Sequence, residues 1–186
     1  ENIMVRTAGP EVYTKWYNHE IPWTDPQVKK AFETWGQIVG NPKNLAGGIS
    51  GTLDATNTFQ NAAIAVFQEK PKAYMYYEGD FIGGIVTAAL PNLKPGEDID
   101  FFAFPPINPA FGTPVVGGAD VFVAFSDKPE VQKLMKFIAS VEGNTLAAKN
   151  GFLSQNKAVP LSAYPNDTLR NSAKILTSAK VYVFDA

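Results

Sequence analysis

Two carboxylates, Glu78 and Asp80, stand two residues apart at the end of an aromatic run, Ala73-Tyr74-Met75-Tyr76-Tyr77. In extended backbone, residues two apart point to one side, so the pair can face one way. Carboxylates held like that can serve as the acid and base of a glycosidase. A solvated turn accounts for the same residues without chemistry. A second acidic group, Glu97, Asp98 and Asp100, offers the oxygen ligands that hard cations take. It lacks the regular spacing of a calcium-binding loop, and an exposed loop is the simpler account.

Val116-Gly117-Gly118-Ala119-Asp120 supports different chemistry. Paired glycines let a ligand come close to backbone N–H groups. Asp120 adds an acceptor, and the combination suits a polyhydroxylated ligand, whose hydroxyls both donate and accept. Phe81 and Trp23 lie beside turn residues, where a ring can offer its face to a sugar or simply join the core. His19, the only histidine, sits between Asn18 and Glu20 with no triad partners in view and reads as a surface loop residue. There is no GxSxG elbow, P-loop or GxGxxG fingerprint.

Composition narrows the field further. With no cysteine, disulfide scaffolds, thiolate metal sites and cysteine nucleophiles are excluded. No apolar stretch approaches the roughly 18–20 residues that span a bilayer. Sixteen basic against eighteen acidic side chains leave a net charge of -2, which gives no general drive towards nucleic acid. A chain of 186 residues, 45% hydrophobic, suits one compact domain or at most two small ones.

The elements that must hold these residues read as mixed α/β. Asp25-Pro26 opens a helix in which Val28, Ala31, Phe32, Trp35, Ile38 and Val39 recur at helical spacing until Gly40. A second helix is expected over 58–68, closed by Pro71. The runs 73–77, 100–104 and 121–125 read as strands; the last is unbroken in its apolar character and is expected to be buried on both faces. Phe81 to Leu90 folds back as a short helix. Asp127 caps the next, with Glu130 completing a capping box and Val131, Leu134, Met135 and Ile138 as its buried stripe. Residues 145–150 form another turn or two of helix with Gly151 as the stop, and a last helix runs from Asp167 to about Lys180, with Leu169, Ala173, Leu176 and Ala179 facing inward. The six prolines between Pro91 and Pro114 suit a stiff loop or a hinge.

Taken in order, these segments resemble the C-terminal half of the extracellular solute-binding proteins of ABC importers, the sugar-binding group in particular. The matching pieces are Ala8-Gly9-Pro10-Glu11 with Trp16; Ile21-Pro22-Trp23-Thr24-Asp25-Pro26; Phe67-Gln68-Glu69-Lys70-Pro71-Lys72-Ala73-Tyr74-Met75; Gly79-Asp80-Phe81; Phe102-Ala103-Phe104-Pro105; Val116-Gly117-Gly118-Ala119-Asp120; and Gly151-Phe152-Leu153-Ser154-Gln155-Asn156-Lys157. The resemblance implies a type II-like periplasmic-binding α/β fold, two-lobed and hinged. Residues 1–98 and 142–186 would lie mostly in the C-terminal lobe, and 99–141 would cross the hinge and contribute to the other lobe. It also implies a binder and not an enzyme, with no cofactor and no metal.

By the same resemblance the ligand is a mono- or oligosaccharide and the partners are ABC permease subunits, the intact protein being a monomer outside the membrane, lipid-anchored or periplasmic. Phe81 takes the place of an aromatic that stacks on the sugar, where the family often has Trp. Asp80, Gly117, Gly118, Asp120 and Phe152 are the further ligand-binding residues it suggests. The family also extends past both ends of this sequence, so weak or no sugar binding is expected of these 186 residues alone. Two other readings stand beside the receptor: a glycoside hydrolase using Glu78 and Asp80, and a non-catalytic carbohydrate-adhesion module. Polyamines, organic anions and metal complexes are further ligand classes; Asp80 and Asp120 disfavour the anions because like charges repel.

Overall fold

The computed structural model describes residues 1–52, 54 and 56–185. They divide into two compact units, one formed by residues 1–92, 102–117 and 179–186, the other by 93–101 and 118–178.

Asp25 and Pro26 act in the first unit as their chemistry predicts. The Asp25 carboxylate accepts the Gln27 N–H at 2.8 Å, and Pro26 takes the first position, where its missing N–H costs nothing. The resulting helix spans Pro26–Val39 and is followed by Gly40. In chain order it is α3, preceded by α1 (Asn2–Ala8) and α2 (Pro10–Tyr17) and followed by α4 (Gly48–Thr52), α5 (Phe59–Ile64) and α6 (Ile82–Ala89). Only Val28 and Ala31 of its apolar stripe are buried; Phe32, Trp35 and Ile38 are about half exposed. The core of the unit comprises Ile3, Met4, Val5, Tyr13, Val28, Ala31 and Val183, with Phe104 and Val116 packed against it.

Two distant segments close that core. Strand β1 (Val115–Gly117) pairs in parallel with β2 (Tyr182–Phe184), Val116 opposite Val183. This ladder and an isolated bridge between Pro95 and Ile99 are the β-structure among the described residues. The expected strands at 73–77, 100–104 and 121–125 therefore do not form here. Tyr74 is 94% exposed and Phe125 96%, so the double burial expected of 121–125 is also absent. The physical reason is that a strand needs a neighbour to take its N–H and C=O groups. Apolar sequence creates the demand for a partner without supplying one. Tyr77 alone of the first run is anchored, edge-on to Phe104 at 5.7 Å between ring centroids.

In the second unit, α7 (Pro129–Ala139), α8 (Val141–Lys149) and α9 (Asp167–Ser178) surround a small core of Ala148, Val159, Tyr164 and Ala173. Asp127 does not cap α7. Pro129 holds the first helical position and forces its predecessor into extended backbone, so Lys128 (ψ 144°) becomes the cap. Ser126 Oγ accepts the Lys128 N–H instead. Val131, Met135 and Ile138 are half-buried and Leu134 is exposed, so the expected stripe is only partly covered. Helix α8 starts earlier than expected because Ser140 caps it, accepting the Gly143 N–H at 3.0 Å. Gly151, at φ 92°, takes the left-handed turn that follows its end.

Candidate ligand-binding residues

Thr58 and Gly79 position the first aromatic candidate. Thr58 Oγ1 caps α5 by accepting the Asn61 N–H, which puts Phe59 at the first position of that helix. A run of N–H to C=O bonds three residues apart, Ile82 to Gly79, Gly83 to Asp80 and Gly84 to Phe81, each at 3.2 Å, leads into α6. Phe81 stands immediately before α6 with helical dihedrals. Helices α5 and α6 pack together, and the Phe59 ring meets the Phe81 ring edge to face, 6.1 Å between centroids at 81°. A Cβ at Gly79 would come within 2.8 Å of the Phe81 ring, so only glycine allows that ring its place. Phe81 is 54% exposed and keeps an open surface.

Asp80, next to Phe81, is exposed as a residue, yet chain packed around its carboxyl pushes the pKa up by desolvation, with a backbone hydrogen bond acting the other way. A raised carboxyl pKa means that the folded state holds the proton more tightly than the unfolded chain. Stability is then greatest in acid and declines as pH rises from about 4 through the raised value. Asp80→Asn is expected to flatten this decline in thermal melts recorded between pH 4 and 7. An unchanged slope would show that the carboxyl is as well solvated as in the unfolded chain. Glu78 is turned to its own turn, its Oε1 accepting the Gly79 N–H at 3.0 Å.

Gly117 lies in the same unit, at the end of β1. Its carbonyl accepts the Tyr182 hydroxyl at 3.0 Å and the Asp185 N–H at 3.3 Å. A Cβ there would lie 2.9 Å from the Tyr182 oxygen, so this glycine answers a packing need within the ladder. Trp23 is 59% exposed but belongs to a series of rings leading out of the core: Tyr13 to Trp16 at 5.5 Å, Trp16 to Trp23 at 5.2 Å and Trp23 to Phe32 at 6.2 Å. His19 is exposed with φ 59° in the turn after α2, the surface position expected of it.

Gly118, Asp120 and Phe152 belong to the second unit. Gly118 and Asp120 are exposed in non-helical chain. Phe152, 65% exposed, is presented by a loop that a buried polar network holds. Ser154 Oγ bonds to Asn144 Oδ1 at 2.9 Å and accepts the Asn156 N–H at 2.9 Å. The Ser154 N–H donates to the Tyr164 hydroxyl at 3.0 Å, while Asn144 Nδ2 donates to the Ile138 and Ser140 carbonyls. The Leu153-Ser154-Gln155-Asn156 sequence is thus a loop fastener. A groove of about 290 Å³ between α7 and α8, lined by Phe137, Glu142, Thr145, Leu146 and Lys149, contains none of the expected residues.

Among the described residues no group of three or more His, Cys, Asp or Glu side chains could hold a metal ion. The acidic cluster is instead engaged locally: Asp98 accepts the Lys94 N–H and Glu97 pairs with the Lys94 ammonium at 3.1 Å. Nor is any helix of the described residues long and apolar enough to cross a membrane.

Along its whole length the chain is 35% identical to the osmoprotective compounds-binding protein GgtB of Synechocystis sp. (strain ATCC 27184 / PCC 6803 / Kazusa), of which it covers 43%. It is 31% identical, again over 100% of its length, to the alpha-glucosides-binding periplasmic protein AglE of Rhizobium meliloti (strain 1021), covering 40% of that protein. The chain belongs to the extracellular solute-binding proteins. It spans less than half the length of these two relatives. No protein-family model matches this solute-binding chain, and no solved structure matches at the same stringency. The signal that sequence reading missed is Phe59: an aromatic directly after a helix-capping Thr marks a ring fixed at a helix start, and here that ring holds Phe81.

Proposed function

We propose that this chain is the ligand-contacting C-terminal part of a substrate-binding component of an ABC importer, which captures a small carbohydrate or related polyhydroxylated solute outside the membrane and hands it to permease subunits. The observation that carries the reading is unbroken similarity over the whole chain to two proteins named for binding small solutes. The chemistry agrees with it. Phe81 presents an open ring of the kind that buries the apolar face of a sugar, and Asp80 beside it can accept from hydroxyls. Gly118, Asp120 and Phe152 are the contacts proposed from the second unit, with Gly117 contributing backbone.

Within this reading the two units are parts of a hinged, two-lobed, type II-like binding protein, and closure would exclude water from the ligand. The function is binding without turnover, with no cofactor, and the protein acts as a monomer in the periplasm or on a lipid anchor. The experiment is calorimetry on the full-length protein against maltose and methyl α-D-glucopyranoside, with chromogenic α- and β-glucosides incubated in parallel. Saturable binding without release of chromophore is the expected result. Turnover that Glu78→Gln or Asp80→Asn abolishes would replace the receptor by a hydrolase.

Phe81→Ala is expected to weaken binding of the tighter of those two sugars by about 1–3 kcal/mol, on the scale of aromatic stacking against planar rings. The same titration reads it. Unchanged affinity with a lowered melting temperature would make Phe81 a core residue only.

A further inference from the structure

An aromatic platform is useful only if its plane is fixed before the ligand arrives. A freely turning ring must be ordered on binding, and immobilising a side chain costs affinity. Phe81 has the exposure of a mobile residue but not its freedom. The edge of the Phe59 ring stands against one of its faces, at 6.1 Å and 81°, the geometry that the aromatic quadrupole favours. At the ring's Cδ1–Cε1 edge lies Gly79, where an added Cβ would sit 3.0 and 2.8 Å from those two atoms. The helix-capping hydroxyl of Thr58 fixes the backbone of Phe59 in turn. Two contacts from opposite sides in sequence thus hold one ring, and its remaining face is the open one.

We infer that Phe59 is a positioning residue for ligand binding: with Gly79 it sets the plane of the Phe81 ring, so that the free face is ready for the apolar face of a saturated, hydroxylated ring. The inference rests on the proposed role of Phe81, and adds to it a residue that touches no ligand. Phe59 is itself 43% exposed, so a small change there leaves the buried core intact. Leucine would fill the space without supplying a ring edge, whereas tyrosine would keep the edge.

The test is a double-mutant cycle in the full-length protein, with maltose and methyl α-D-glucopyranoside as probes in calorimetry. Phe59→Leu is expected to weaken binding about 2- to 10-fold, the range of one edge-to-face pair, and Phe59→Tyr to restore it. In a Phe81→Ala background, Phe59→Leu should have no further effect, because the residue acts through the missing ring. Gly79→Ala, which pushes the same ring from its other side, should weaken binding by a similar factor and serves if Phe59→Leu folds poorly. A 4-fluorophenylalanine label at position 81 supplies a ligand-free readout: its fluorine resonance should move in Phe59→Leu and return in Phe59→Tyr.

Unaltered affinity in both Phe59→Leu and Gly79→Ala, with Phe81→Ala still impaired, would overturn the positioning role and leave the platform standing. Equal losses from Phe59→Leu with and without the Phe81 ring would overturn it too. If Phe81→Ala itself binds normally, the platform reading fails and the positioning role with it.

Discussion

Arg6→Ala is expected to lower the unfolding free energy of this chain by about 3–5 kcal/mol, because it empties a buried junction and strands the groups that meet there. Arg6 is 2% exposed. One guanidinium nitrogen donates to Asn2 Oδ1 at 2.6 Å; the other donates to the carbonyls of Phe104 at 3.1 Å and Pro114 at 2.8 Å. The guanidinium carbon stands 5.0 Å from the centroid of the Phe104 ring, a cation–π contact in a largely desolvated place. Burial lowers the guanidinium pKa from its ordinary value, and Tyr77 acts in the opposite sense. Nε has no acceptor, so the arrangement is not fully compensated. That is why Arg6→Met, which keeps the aliphatic stem and removes the charge, should cost less than Arg6→Ala. Urea unfolding of the three proteins decides it. A loss below about 1 kcal/mol in Arg6→Ala would mean that the carbonyls of Phe104 and Pro114 find water or other donors as readily as this side chain.

Tyr13→Ala is expected to be as damaging, also about 3–5 kcal/mol, for a different reason. Tyr13 is 1% exposed and joins the core formed by α1, α3 and β2. Its removal leaves a cavity the size of a ring, since packed interiors relax only partly. The hydroxyl donates to the Phe184 carbonyl at 2.7 Å, so Tyr13→Phe should cost about 1 kcal/mol, the net value of one hydrogen bond. Comparing the two variants by thermal melting separates the volume from the bond. Desolvation drives the Tyr13 pKa well up, with the negative groups Glu1 and Asp185 adding to it. The folded chain therefore keeps the phenol proton where the unfolded chain loses it, and stability declines as pH rises above about 10. Tyr13→Phe should remove that part of the alkaline decline. Equal stability of Tyr13→Ala and the parent would contradict the core described here.

What sequence made legible was local. The Asp25–Pro26 start, the short helix after Phe81, the Gly151 turn and the Asp167 helix are each dictated by groups within four or five residues, and all are present. The Asp127 cap failed because Pro129 moved the helix start by one residue. The three strands failed because partnership is not a local property: Val116 meets Val183 across 67 residues, while Val121 to Phe125 meets no strand among the described residues. Arg6 was invisible for the same reason, its acceptors lying 98 and 108 residues away. Of the expected site residues, Asp80 and Phe81 could be read together because one turn carries both. The Phe59 ring that braces Phe81 comes from another helix 22 residues earlier, and periodicity gives no sign of it.

The division of the chain also sets an order of assembly during synthesis. The second unit is made of residues 93–101 and 118–178, so every part of it has been synthesised by residue 178. The first unit begins to emerge earlier, yet its core includes Val183 and its Tyr13 hydroxyl bonds to Phe184. On a ribosome releasing about 5–20 residues per second, the unit that starts second is the first to have all its pieces. The unit that starts first must keep the place of β2 vacant until residues 182–184 arrive.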